Sequence, residues 1–384
     1  MISTFHLPTK IIFGTGSVTK LGEEASQLGR KALVVSYPDI RKIGLLDRVI
    51  EAMRGTGVNI LVFDKVEPNP RSSTVDEGAK IAREEQADLI IGLGGGSAMD
   101  TAKGIALAST GTQSIWYYVE ARAQTGRVPS PMSPVPLLIQ VPTMAGTGSE
   151  LNPGAVITNW ETHEKRGVAH PDLLAKVAII DPEVTLTVPK NQTAAGGVDI
   201  FCHIAETYIT DRGASPLTDG IRETIMKVVV RFLPQALARL DDIEARTQLS
   251  WASTMAMSQF ANLGGGRGRH TCHGIEHALS GYYDVTHGAG LAALLPAWMK
   301  YTLPVRKERF ALLGRNVFGK EDGIVATEEW LEEVGMRLRL RDLGCEFDRA
   351  EEIAELAVRT GPSLPRHPRP LDAAAITQIY KESY

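Results

Sequence analysis

The sequence predicts two folds in one chain, an α/β domain over residues 1–188 and an all-α domain over residues 189–384. Three observations carry that prediction. Short β-branched runs alternate with helix-length stretches through the first half. After about residue 188 the strand-like runs disappear, and apolar residues recur at a period of about 3.6. Between the two textures, "LTVPKNQTAAGG" (186–197) supplies a Pro and a Gly pair, the punctuation of a junction. At 384 residues the chain is long enough for each half to bury its own core.

In the first half, "KALVVS" (31–36), "VNILVF" (58–63) and "ADLIIGL" (87–93) read as buried strands, short, β-branched and bounded by Gly or polar residues. Between them, "LLDRVIEAMRGTG" (45–57) and "STVDEGAKIAREEQ" (73–86) have helical spacing. "PLLIQVPT" (136–143), "GAVITN" (154–159) and "KVAIID" (176–181) add further strands. Such alternation implies a mostly parallel sheet with helices on its faces. In the second half, "ETIMKVVVRFLPQALARL" (223–240), "ARTQLSWASTMAMSQFANL" (245–263) and "ATEEWLEEVGMRLRLRDLG" (326–344) predict amphipathic helices.

Composition narrows the function classes. Charged residues make up 22% and hydrophobic residues 43%, the balance of a globular protein in water. A net charge of −4 and a pI near 6.2 argue against nucleic acid or an anionic membrane as partner. No apolar run approaches the roughly 20 residues of a membrane span. The N-terminal "MISTFHLPTKIIFG" lacks the pattern of a secretory signal. Cys202, Cys272 and Cys345 are too few and too oddly numbered for a disulfide framework, so a cytoplasmic location is expected.

"LIIGLGGGSAMDTAKGIA" (89–106) places a glycine run after a strand and before a helix. Gly94, Gly95 and Gly96 let backbone approach a ligand closely, and the helix N-terminus attracts a phosphate. Ser97 is expected to cap that helix, with Asp100 closing a capping box and Lys103 one turn on. A tight connection that binds nothing is the bland alternative for a glycine run alone. The stretch departs from the G-x-G-x-x-G fingerprint, because Ser97 holds the last glycine position. A second candidate loop, "VPTMAGTGSE" (141–150), offers Thr143, Thr147 and Ser149 after another strand. Two such loops on one sheet point to a nucleotide more strongly than either does alone.

"GGVDIFCHIAETYIT" (196–210) sets Asp199 and His203 at i and i+4, on one face of a helix. Four of the nine histidines fall within "HTCHGIEHALSGYYDVTHGAG" (270–290). His273 and His277 are again i, i+4, His287 follows a Gly-Tyr-Tyr-Asp break, and His270 precedes the helix without an assigned role. Asp199, His203 and two of the later histidines would form an N₃O site without cysteine. Such a site suits Fe²⁺ or Zn²⁺ with an open position. A rival Cys₂His₂ site from Cys202-His203 and Cys272-His273 is disfavoured, since adjacent helical residues point about 100° apart. The two cysteines are expected to be small buried hydrophobes.

Together, "GGGSAMDTAK", "VPTMAGTGSE", "GGVDIFCHIAETY" and "CHGIEHALSGYYDVTHGAGLAALLPAWMKY" resemble the iron-containing (group III) alcohol dehydrogenase family. The match runs from "TKIIFGTGSVTKLG" (9–22) through "VEPNP" (66–70) to the last helices. The resemblance implies a Rossmann-like dinucleotide-binding α/β domain, a helical metal-binding domain, and an active site in the cleft between them. It places metal ligands at Asp199, His203, His273 and His287, with His277 beside metal and nicotinamide but not ligating. Gly95, Gly96 and Ser97 match the pyrophosphate loop, and Thr143 and Thr147 the second nucleotide loop.

The implied activity is a metal-dependent, NAD(P)H-linked alcohol dehydrogenase or aldehyde reductase. The metal polarises the carbonyl, reduced nicotinamide supplies hydride, and His277 handles the proton. Fe²⁺ is the expected ion, with Zn²⁺ or another divalent metal as substitutes. Ser36, Tyr37 and Asp39 follow the first strand of the run, where the adenosine ribose is expected. Family members that prefer NAD usually carry an acidic residue where Tyr37 stands. Asp39 comes two positions later, and Arg41 and Lys42 would suit a 2′-phosphate, so the expectation leans to NADPH over NADH. Met144 replaces the family's usual Thr in the second loop. Arg267 and Arg269 in "LGGGRGRH" (263–270) would clamp an anionic tail such as carboxylate, phosphonate or sulfonate. The expected partner is a small alcohol or aldehyde, with no nucleic acid and no membrane, and a homodimer as candidate assembly. A dehydroquinate synthase-like lyase and a non-catalytic nucleotide-binding protein of the same fold are the alternatives.

Overall fold

The structure, a computed structural model, describes residues 5–213, 215–263 and 268–384. It forms two compact units. One comprises Leu7–Thr162 and Arg166–Val188; the other holds Pro189–Tyr384 together with His163–Lys165, Phe5 and His6.

The first unit is built on eight strands, the first two residues of the seventh falling to the other unit: β1 (Lys10–Phe13), β2 (Lys31–Val35), β3 (Asn59–Phe63), β4 (Leu89–Gly94), β5 (Leu137–Pro142), β6 (Gly154–Asn159), β7 (Glu164–Ala169) and β8 (Val177–Ile180). Six of them form one parallel sheet in the order β1-β8-β5-β4-β2-β3. Five helices accompany them: α1 (Leu21–Leu28), α2 (Leu45–Ala52), α3 (Ser72–Glu84), α4 (Gly96–Ala108) and α5 (Ile115–Thr125). Strand side chains alternate between faces, and both faces are covered. Leu33, Val35 and Ile90 bury against Val75 of α3, Ala102 and Ile105 of α4 and Ile115 of α5. Ala32, Val34, Leu89 and Ile91 bury against Leu21 of α1 and Leu46 and Val49 of α2.

Two sequence expectations are corrected, and one strand was not foreseen: β1, only four residues long, is a full member of the sheet. The run at 154–159 is a strand, but it pairs with β7 in a separate two-stranded sheet that the apolar pattern of "EKRGVA" does not announce. The helix foreseen over 326–344 stops at Glu333, because Gly335 takes φ +70° and turns the chain.

The second unit is helical: α6 (Lys190–Thr210), α7 (Pro216–Ala238), α8 (Ile243–Ala256), α9 (Thr271–Tyr283), α10 (His287–Leu313), α11 (Gly323–Glu333), α12 (Ala350–Thr360) and α13 (Ala373–Ser383). Helix α6 is its centre: every residue from Thr193 to Thr210 is buried. A helix apolar or shielded all round belongs to a core, so its polar members, Asp199, His203 and Glu206, must find partners inside the protein. Among the described residues, no helix is long and apolar enough to cross a membrane.

Candidate active site

In the α/β unit the strand order reverses at β2. The chain steps outward from β2 to β3, then returns to β4 on the other side and proceeds to β5. Ligands of open α/β sheets bind outside the carboxyl ends of the strands at such a switch point. The carboxyl ends of β2, β4 and β5 carry Tyr37, the Gly95–Ser97 turn and Thr143 respectively. Thr143 N–H donates to Gly94 O at 3.0 Å, and the Tyr37 and Thr143 side chains hydrogen bond to each other.

Helix α4 begins at Gly96, with Gly95 as its N-cap and no side chain capping it. Its first amides are therefore left for a ligand. Gly96 is required by its neighbour, because a Cβ there would lie 2.5 Å from Thr147 Cγ2. Gly95 faces open space, with Met144 Cβ 3.9 Å from where its own Cβ would sit.

Other expected cofactor residues are turned to different tasks. Ser97 does not cap α4. Asp100 forms no capping box: its Oδ1 accepts from Ser149 Oγ at 2.6 Å and its Oδ2 from Val156 N–H at 2.8 Å. Lys103 is fully buried, and its ammonium donates to Ser149 O, Ser149 Oγ and Gly154 O at 2.6–2.7 Å. Burial pushes its pKa down to about 8. These bonds fasten α4 to Ser149 and to the start of β6, so Lys103 holds the loop that follows β5. Ser36 is buried and donates to Leu93 O at 2.6 Å, latching β2 to β4. Arg41 pairs with Asp64 at 2.7 Å and Lys42 with Asp39 at 2.7 Å, so each cation proposed for a 2′-phosphate already faces a carboxylate.

In the helical unit three imidazoles converge on one oxygen. Asp199 Oδ1 lies 3.4 Å from His203 Nδ1, 3.3 Å from His273 Nε2 and 3.7 Å from His287 Nε2. Helix α6 supplies Asp199 and His203 one turn apart, α9 supplies His273, and α10 begins at His287. The Asp284 break, at φ +57°, ends α9 and turns the chain into α10. The first turn of α10 meets α6 so closely that a Cβ on Gly288 would sit 2.1 Å from Ala195 O.

This donor set fits a divalent transition metal. His203 Nδ1 is buried without a hydrogen bond, an orphan that a cation would satisfy. Among the described residues, Asp199, His203 and His273 form one ligand group, while His287 groups with Glu276 and His277 and reaches the first through Asp199. Burial opposes charge on Asp199, yet the imidazoles of His203, His273 and His287 hold it well below the usual carboxylate range. Burial works against protonated His273 too, but Glu206 and Asp199 push it up to about 10. An arriving cation would replace that proton. Neither Cys202 nor Cys272 joins these groups; both are buried, and burial drives their thiols well above the ordinary value.

His277 is half-buried, its ring centroid 5.5 Å from that of His287 and 6.5 Å from that of His273. Burial, then Lys165 and the neighbouring histidines, keeps its pKa well below the ordinary imidazole value. His270 occupies the N-cap position of α9, with its ring 5.5 Å from His203. Arg269 has its backbone fixed by Thr210, whose Oγ1 accepts from Arg269 N–H at 2.7 Å; Arg267 lies outside the described residues.

Sequence reasoning missed three residues here. Glu206 and Glu276 are fully buried and bond the Nδ1 atoms of His273 and His287. Their signal was legible as H-x-x-E in both "HIAE" and "HGIE". Lys165, on the unforeseen β7, is almost buried with its Nζ 4.0 Å from Glu276 Oε2.

A parallel sheet with a glycine-lined switch point and a buried carboxylate–imidazole centre are the parts of a nucleotide- and metal-dependent enzyme. Residues 8–182 match the model described as "Iron-containing alcohol dehydrogenase", and residues 193–384 that described as "Fe-containing alcohol dehydrogenase family, C-terminal". The chain belongs to the iron-containing alcohol dehydrogenase family and is an alcohol dehydrogenase/aldehyde reductase. It is 37% identical over 392 residues to NADH-dependent butanol dehydrogenase A of Clostridium acetobutylicum, covering 99% of both chains. The crystal structure of NADH-dependent butanol dehydrogenase A from Thermotoga maritima superposes with a TM-score of 0.92 at 34% identity, covering 100% of this chain and 98% of that one. Sulfoacetaldehyde reductase from Bifidobacterium kashiwanohense, in complex with NAD⁺, gives a TM-score of 0.82 at 26% identity and covers 100% and 98%.

Proposed function

We propose that this enzyme interconverts a short primary alcohol and its aldehyde using NAD(H), around a divalent ion held by Asp199, His203, His273 and His287. The convergence of three imidazole nitrogens on Asp199 Oδ1 is the observation that carries this reading. When bound, an Fe²⁺ or Zn²⁺ ion supplies polarisation of the carbonyl, and NADH supplies the hydride. The α4 amides at Gly95, Gly96 and Ser97 receive the pyrophosphate, with Thr143 and Thr147 on the adjoining loop. Tyr37 and Asp39 face the adenosine ribose.

His277 manages the proton. Its depressed pKa keeps the ring neutral near pH 7, so it acts as a relay that accepts at one nitrogen as it donates from the other. NADH is favoured over NADPH because Arg41 and Lys42 are already paired with Asp64 and Asp39. The names of the two butanol dehydrogenases, both NADH-dependent, support the cofactor and a neutral substrate.

A second reading, an aldehyde with an anionic tail held by Arg267 and Arg269, is favoured by the similarity to a sulfoacetaldehyde reductase. One assay separates the readings: kcat/KM for butyraldehyde and for sulfoacetaldehyde, each with NADH and NADPH. The leading proposal expects butyraldehyde and NADH to give the highest value. A preference for sulfoacetaldehyde that is lost in the Arg267→Ala/Arg269→Ala variant would establish the second. Loss of NADH oxidation with every aldehyde tested would overturn both.

A further inference from the structure

The helical centre has an outer layer that its inner residues do not explain. Glu206 follows His203 by one helical turn on α6, and Glu276 follows His273 by one turn on α9. Neither carboxylate bonds the histidine of its own helix. Glu206 reaches across to His273, bonding its Nδ1 and accepting from the Cys272 N–H at 2.6 Å. Glu276 reaches across to α10 and bonds His287 Nδ1, with Ser280 Oγ donating to its other oxygen. Both carboxylates are fully buried. A chain of contacts thus runs from α6 to α9 to α10, and each link leaves an Nε2 aimed at Asp199.

Burying two carboxylates costs free energy unless each finds strong donors. A capping or packing role would not need them aimed at ring nitrogens. A carboxylate on Nδ1 fixes the tautomer with Nε2 bare, sets the ring plane, and raises the donor strength of Nε2. The crossing does more, since it pins α9 to α6 and α10 to α9 at the level of the site.

We infer that Glu206 and Glu276 are positioning residues that prepare His273 and His287 as Nε2 ligands for the metal. This inference rests on the metal reading given above. It predicts a graded response. Alanine removes both the acceptor and the charge, whereas glutamine keeps one acceptor oxygen for the Nδ1–H but loses the charge and the second acceptor.

The test uses the full-length protein, freed of metal and reloaded with Co²⁺. Three quantities are measured for wild type, Glu206→Gln, Glu206→Ala, Glu276→Gln, Glu276→Ala and Asp199→Ala. They are the rate of Co²⁺ release to a chelator, the visible Co²⁺ absorption, and the melting temperature of the metal-free protein. The expected result is release accelerated roughly 10- to 100-fold in the alanine variants. The glutamine variants should fall between these and wild type, with an altered Co²⁺ spectrum and a metal-free melting temperature near that of wild type.

Release within about twofold of wild type in both glutamine and alanine variants, alongside an Asp199→Ala variant that no longer holds the ion, overturns the role of the two glutamates alone. A wild-type protein that holds no Co²⁺ overturns the metal reading and this inference with it. If the alanine variants do not fold, the glutamine variants decide: an unchanged spectrum and unchanged release overturn the assignment.

Discussion

The two units gather polar groups by opposite means. At the ends of β4 and β5 the groups proposed to meet the cofactor are main-chain amides, left open because Gly95 and Gly96 carry no side chain and no side chain caps α4. In the helical unit the groups proposed to meet the metal are side chains, four of them on three helices, and two of the histidines are held by further buried carboxylates. A site made of backbone is damaged by added atoms, and a site made of side chains by removed ones. The same contrast separates binding from chemistry: amides need only be reached by a phosphate, whereas the imidazoles must be held with the right nitrogen bare.

Four changes press on that comparison. The largest effect is expected from Asp199→Ala, which removes the oxygen common to three imidazoles. Its kcat/KM for aldehyde reduction should fall by about 10³-fold, while a fluorescence titration shows NADH binding intact. Loss of NADH binding to the same extent would mean that the two sites are not separable.

Acid comes next, because buried imidazoles mark the helical unit. Burial pushes His367 down to about 4, so folded protein keeps it neutral where the unfolded chain, titrating near 6.5, binds a proton. Its contribution to stability is whole above about pH 6.5 and is lost as pH falls toward 4, about 3 kcal/mol in all. Urea midpoints measured across that window should fall more steeply for wild type than for His367→Gln; parallel curves would remove His367 from the account.

Lys103→Met should cost about 2 kcal/mol of stability by leaving Ser149 and Gly154 oxygens without their donor. The Kd for NADH should stay within about twofold of wild type. A large rise in Kd with unchanged stability would restore Lys103 to the cofactor site. Gly96→Val is the mildest, with KM for NADH raised about 10-fold, or about 1.4 kcal/mol, and kcat unchanged. A variant with normal KM would show that α4 does not receive the cofactor.

Much of the layout was legible in the residues. The apolar runs marked β2, β4, β5 and β8 because strands buried on both faces need continuous hydrophobicity, and marked the edge strand β3 by its β-branched content. β7, reading "EKRGVA", carries no such pattern and stayed hidden, and with it Lys165. The i, i+4 spacing put Asp199 and His203 on one helix face, since spacing on a helix is geometry, while the choice of His273 and His287 came from the family resemblance. The partners of Ser36, Asp100 and Lys103 could not be read, since each bonds a residue far along the chain, and only the fold brings Ser149 to α4. Glu206 and Glu276 lie between these cases: their H-x-x-E spacing was visible, but the crossing to the next helix was not.

The central claim is that hydride chemistry depends on a metal ion seated at Asp199, His203, His273 and His287. Anaerobic titration of metal-free enzyme with Fe²⁺, following NADH oxidation by butyraldehyde, tests it most directly. The account predicts activity rising linearly to a plateau at one ion per chain. Full activity in the metal-free enzyme, or a plateau reached without any bound ion, would contradict it.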